Sequence, residues 1–178
     1  MFIIFGGLPG TGKSTIASQV ADRLGATWLR IDSIEQAIRS SDVLSAGDDV
    51  GTAGYFVAYR IAADNLRAGR IVVADSVNPL GVTRQAYREV AHKAGVGYLE
   101  VELVCSDEAL HRERVEARRP IVKGFTLPTW EQVVSRRYEA WDQPHLRIDT
   151  AVASIDTATQ RIVDAASAVR MNRTCPDQ

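Results

Sequence analysis

Short apolar runs alternate along this chain with stretches where apolar side chains recur every third or fourth position. Phe2-Ile3-Ile4-Phe5 and the run inside Arg70–Asp75 are unbroken. Runs of that kind predict parallel strands covered on both faces. Thr27–Ile31, Tyr98–Cys105 and Leu146–Asp149 predict three more strands. Helical spacing appears at Ile16, Val20 and Leu24, at Ile34 and Ile38 within Ser33–Arg39, and at Val57, Ile61 and Leu66 within Tyr55–Ala68. It recurs at Ala86, Val90 and Ala94 within Thr83–Ala94, and at Ile162, Ala165, Ala166 and Val169 near the end. Gly25 and Gly69 read as helix stops. Ser106 reads as the N-cap of a helix running to about Arg118. Thr129 with Gln132 and Thr157 with Gln160 read as capping boxes, the first opening a helix to about Tyr138. Strands alternating with helices imply right-handed crossovers and a parallel sheet between two helical layers, a single-domain α/β sandwich spanning about residues 1–170. Ser40–Gly54 is polar and glycine-bearing, Pro120–Pro128 is bounded by prolines, and Met171–Gln178 reads as a frayed tail.

Composition narrows the classes. The length of 178 residues suits one domain with a core. A net charge of −1 provides no general field for collecting nucleic acid. No apolar run approaches a membrane span, and the first residues lack the basic region of a signal peptide. Two cysteines, Cys105 at a strand end and Cys175 in the tail, predict no disulfide and fit a reducing cytoplasm.

The chemistry begins between the first strand and the first helix. Gly7-Leu8-Pro9-Gly10-Thr11-Gly12-Lys13-Ser14 followed by Thr15 matches the phosphate-loop pattern, in the strand–loop–helix context that the pattern requires. Glycines let backbone N–H groups converge on phosphate oxygens, and the helix directs its positive end to the same place. Lys13 adds a charge for the β- and γ-phosphates, and Ser14 a hydroxyl for Mg²⁺. The expected ligand is ATP with Mg²⁺.

In open parallel sheets ligands bind outside the carboxyl ends of the strands. That rule selects Asp32 after the second strand and Asp75 after the third, as candidates for holding the cation and for orienting or deprotonating an acceptor hydroxyl. Arg112, Arg114, Arg118 and Arg119 precede the proline-bounded loop. Arg118 and Arg119 stand at the hinge of a segment, about 118–128, that would close over phosphates as a lid. Lys123 lies in that segment, and Arg136 and Arg137 follow it. His92, His111 and His145 show no metal-ligand spacing and read as surface or structural. Trp28, Trp130 and Trp141 read as packing residues.

Residues 7–15, Asp32, Asp75-Ser76-Val77-Asn78, and Cys105-Ser106-Asp107-Glu108 with the four following arginines resemble the small bacterial P-loop kinases. That group is often described as AAA-type ATP-binding proteins and is akin to polynucleotide 5′-kinase, gluconate kinase, adenylylsulfate kinase, chloramphenicol phosphotransferase and zeta toxins. The resemblance implies a five-stranded parallel sheet in the order 2-3-1-4-5. It implies Asp32 as general base, Asp75 and Asn78 as substrate contacts, and Asp75 as a magnesium contact with Ser14. It further implies Arg118 and Arg119 as lid arginines acting on the transferring phosphate. No sensor or arginine-finger module of ring-forming ATPases is present, which argues against a hexameric motor. No basic track for a polynucleotide strand is visible. Residues 33–54, where an acceptor should bind, match no substrate signature. The leading expectation is an ATP-dependent kinase acting on a hydroxyl of a small molecule, as a monomer or small homo-oligomer. A polynucleotide 5′-hydroxyl kinase and an ATP-binding switch with little turnover are the alternatives.

Overall fold

Five parallel strands lie in the order β2-β3-β1-β4-β5 in a computed structural model, which describes residues 1–41, 43–45, 49–119 and 127–174. The strands are β1 (Phe2–Gly6), β2 (Thr27–Arg30), β3 (Val72–Asp75), β4 (Tyr98–Val104) and β5 (Leu146–Asp149). The helices are α1 (Lys13–Leu24), α2 (Ile31–Arg39), α3 (Ala53–Arg67), α4 (Gly81–Lys93), α5 (Glu108–Glu116), α6 (Trp130–Val134) and α7 (Ile155–Thr174). β1 is central, pairing Ile3 with Val73 on one side and Leu99 on the other.

The alternation of side chains along β1 divides the core. Ile3 and Phe5 face α1 and α7, packing with Ile16, Val20, Ile162 and Ala166. Phe2 and Ile4 face α3 and α4, packing with Ala62, Leu66, Tyr87 and Ala91. The three-layer single-domain sandwich and its strand order are as expected, and the order puts β1, β3 and β2 side by side with their carboxyl ends on one edge.

Several local expectations are corrected. In α3 the buried stripe is Gly54, Ala58, Ala62 and Leu66, whereas Val57 and Ile61 are each 38% exposed. A stripe of small side chains lets the helix sit close to the sheet, and hydropathy alone does not rank alanine above valine. In α4 the buried stripe runs through Arg84, Tyr87, Arg88 and Ala91, and Ala86, Val90 and Ala94 sit at its margin. Two arginines occupy core positions because partners supplied from elsewhere in the chain satisfy them. The cap of α5 is Asp107, whose carboxylate accepts from the Leu110 amide. The Ser106 amide donates instead to Asp149. The Thr129–Gln132 capping box forms as expected, but α6 stops at Val134. Ser154 caps α7 by accepting from the Thr157 amide, so Thr157 lies inside the helix. α7 continues to Thr174, into the stretch expected to fray. Cys175, Lys123 and the middle of the 118–128 segment lie outside the described residues. Trp28, expected to pack, is 40% exposed on the edge strand β2.

Candidate active site

The phosphate loop joins β1 to α1 by a path that only glycine follows at three points, Gly7, Gly10 and Gly12. A Cβ on Gly7, at φ +133°, would lie 2.1 Å from the Leu103 carbonyl oxygen of β4. Gly12, at φ +82°, is the left-handed residue immediately before α1. The loop closes around one acceptor. The Leu8 carbonyl receives the Thr11 hydroxyl at 2.9 Å and the Lys13 Nζ at 2.8 Å. The Gly7 amide donates to Val77 after β3 at 3.0 Å, and Thr150 donates to the Thr11 carbonyl at 3.2 Å. Lys13 is buried, and desolvation pulls its ammonium down to about 8 against the opposing pull of Asp75 and Asp32.

Asp75 ends β3 and is buried beside the loop. Burial raises its carboxyl above the usual range, opposed first by the Lys13 charge and then by the Ser14 hydroxyl. Its Oδ2 has no hydrogen-bond partner among the described residues. A buried carboxylate oxygen left unpaired beside a serine hydroxyl is a pair of hard oxygen donors. Mg²⁺ is content with one or two protein ligands and several waters, so Ser14 and Asp75 fit it.

Asp32 stands in the first turn of α2, which begins at Ile31 and not at Ser33. Its Oδ2 lies 3.6 Å from Arg30 and 3.9 Å from Arg118. Arg30 also places its Nε 4.0 Å from Asp75 Oδ2. One turn beyond Asp32, Glu35 has its carboxyl raised by burial first and by the Asp32 charge second. These groups share one cavity of about 930 Å³, which the phosphate loop, the start of α2, Tyr55 of α3 and the loop after β3 all line. A volume in that range accommodates a nucleotide and a second small molecule.

The other expected residues separate cleanly. Arg114 and Arg118 line the cavity, and Arg114 donates to the Thr150 hydroxyl at 3.0 Å. Arg119 is exposed and does not line it. Arg112 is held on the surface by Glu116 at 2.7 Å. Asn78 is fully buried behind the cavity wall, at φ +49°. It accepts from the Thr83 hydroxyl and donates its amide to Tyr55, so it shapes the loop after β3.

Arg30, Glu35, Tyr55 and Arg136 line the cavity without having been singled out from the sequence. The strand-end rule that selected Asp32 reaches Arg30 two residues earlier. Arg136 shows no such signal. His111, read from the sequence as surface or structural, is structural. It is buried under the loop with Nε2 2.8 Å from the Pro9 carbonyl, edge-on to Trp130 at 5.2 Å. Leu8 packs on Val115, Trp130 and Val133 beside it. Behind the loop after β3, fully buried Arg84 donates to the carbonyls of Glu139 and Ala140 and stacks on Trp141 at 4.8 Å. That clasp holds the segment carrying Arg136 against the start of α4.

Comparison with known proteins follows the same lines. The sequence profile of the AAA domain family matches residues 2–140. The bifunctional enzyme NodQ of Azospirillum brasilense is 29% identical over 168 residues, 90% of this chain, and the chain spans only 26% of NodQ's length. A protein named as a probable adenylyl-sulfate kinase of Aeropyrum pernix is 28% identical over 160 residues, 84% of this chain and 83% of that protein. A gluconokinase structure from Sinorhizobium meliloti superposes with a TM-score of 0.65 at 19% identity, covering 97% of this chain and 94% of the other, which is a likeness of fold.

Proposed function

Because the chain belongs to the AAA domain family and has the P-loop kinase fold, we propose that it is an ATP-dependent phosphotransferase that moves the γ-phosphoryl group to a hydroxyl of a small molecule. The observation that carries this reading is the meeting of Lys13, Ser14, Asp75 and Asp32 around one cavity with room beyond the phosphate loop. Mg²⁺ bound with ATP would neutralise charge on the β- and γ-phosphates. Ser14 and Asp75 are the residues that would hold it.

The loop amides and Lys13 bind and orient the phosphate chain. Asp32 accepts the hydrogen of the acceptor hydroxyl and aims its oxygen at the γ-phosphorus. Arg118, beside Asp32, is placed to balance charge as the phosphoryl group passes. Arg119 is exposed outside the cavity and is given no part in the transfer. A polynucleotide acceptor finds no support in the net charge of −1.

The test is acceptor-dependent release of ADP across sugars, sugar acids, nucleosides and oligonucleotides. Asp32→Asn should lower kcat on the order of a hundredfold or more while leaving ADP affinity within about twofold. ATP binding without acceptor-dependent ADP release from any of these would overturn the reading in favour of a switch.

A further inference from the structure

Resting on the kinase reading, we propose that the acceptor carries an anionic group, a carboxylate, phosphate or sulfate, which Arg30 receives while the acceptor hydroxyl faces Asp32. Five cationic side chains line the cavity, Lys13, Arg30, Arg114, Arg118 and Arg136, against three carboxylates, Asp32, Glu35 and Asp75. Lys13 belongs to the phosphate loop, and Arg114 is tied to Thr150 on the far side. Asp75 goes with the phosphate loop as a magnesium ligand, so on the acceptor side three arginines, Arg30, Arg118 and Arg136, face two carboxylates, Asp32 and Glu35.

Arg30 is the informative member. Its Nε is buried and has no hydrogen-bond partner among the described residues. Its contacts with Asp32 and Asp75, at 3.6 and 4.0 Å, are longer than hydrogen bonds. A guanidinium presents a planar fork that matches an oxyanion bidentately, and here the fork makes only long ion pairs, with no direct hydrogen bond to Asp32 or Asp75. The strand that carries it stands apart from the phosphate loop, and its guanidinium reaches back to within 4.0 Å of Asp75. Arg30 ends β2, two strands from β1 and its loop, a lateral distance of about 10 Å.

The neighbours agree. Arg118 approaches Asp32 only to 3.9 Å, and Arg136 forms no ion pair among the described residues. An anion placed against Asp32, Glu35 and Asp75 without these arginines would be repelled. With them, an oxyanion replaces two loose contacts by direct ones and leaves the Asp32 carboxylate to the hydroxyl.

The experiment uses the whole protein with saturating Mg-ATP and matched acceptors: sorbitol against gluconate, and adenosine against adenosine 5′-phosphosulfate. The first pair tests a carboxylate and the second a phosphate–sulfate. In at least one pair the anionic member should show kcat/KM about tenfold or more above its neutral partner. Arg30→Gln should erase that ratio by raising the KM of the anionic acceptor, with the KM for ATP within about twofold. Exposed Arg136→Gln should shift the same KM in the same direction by less. Equal use of neutral and anionic acceptors overturns the proposal and leaves the kinase reading standing. So does an Arg30→Gln protein that still binds ADP but loses turnover equally on both. No acceptor-dependent ADP release from any of the four, nor from the broader set above, overturns the kinase reading and this inference with it.

Discussion

Lys13 folds back onto the carbonyl of Leu8, and burial holds its ammonium near 8 rather than 10.5. Phosphates bound in the loop supply the negative charge that the lysine lacks, so the complex keeps its proton to higher pH. Between pH 8 and 10.5 the complex therefore holds more protons than the free protein, and affinity falls as pH rises through that window. Calorimetric titration with ADP should show a flat affinity below about pH 7.5 and a decline approaching tenfold per pH unit above about 8.5. Lys13→Arg, which does not titrate there, should flatten the profile. A decline that persists in the arginine variant would assign it to another group. At this scale the residues of the phosphate loop were legible, because their spacing carries the chemistry. Asp32 and Asp75 were legible from their places at strand ends. Arg30 was within reach of the same rule. His111 was legible as structural but not its partner, a carbonyl more than a hundred residues away, and Arg136 was not legible because no local pattern encodes the direction of its turn.

Helices α5 and α6 form a seat under the loop, through His111, Val115, Trp130 and Val133 against Leu8, Pro9 and Gly10. His111→Leu should remove the contact to the Pro9 carbonyl, reducing stability by about 1–2 kcal/mol and weakening ADP binding several-fold. His111→Gln, which offers an N–H at a similar reach, should recover part of the ADP affinity. Thermal unfolding and ADP titration read the two effects separately, and an unchanged ADP affinity in the leucine variant would show the seat to be packing alone. Elements were legible where periodicity and caps agree, as in α1 and the Thr129–Gln132 start of α6. They were misread where packing chooses between candidates. Ala58 and Ala62 win over Val57 and Ile61 in α3 because proximity to the sheet matters more than hydropathy. Arg84 and Arg88 enter the core of α4 because the Glu139 and Ala140 carbonyls and the Glu100 carboxylate receive them.

The whole molecule was legible in outline because alternating strands and helices admit few topologies. Both hydrophobic clusters share β1, so residues 1–170 should unfold in a single transition. Mg-ADP at a hundred times its Kd should add about 2.7 kcal/mol, raising Tm by about 5–10 °C. Two resolved transitions, with only one moved by ADP, would divide the chain into separate units. The sheet order has a further consequence. The phosphate loop is braced by the central strand and its two neighbours, where a changed side chain disturbs both layers. The groups proposed to meet the acceptor come from the edge strand and the helix after it, paired on one side only. Natural selection can therefore rework acceptor preference at the margin while the nucleotide machinery stays under constraint, a division of labour that lets one scaffold diversify its substrates by drift along a single border.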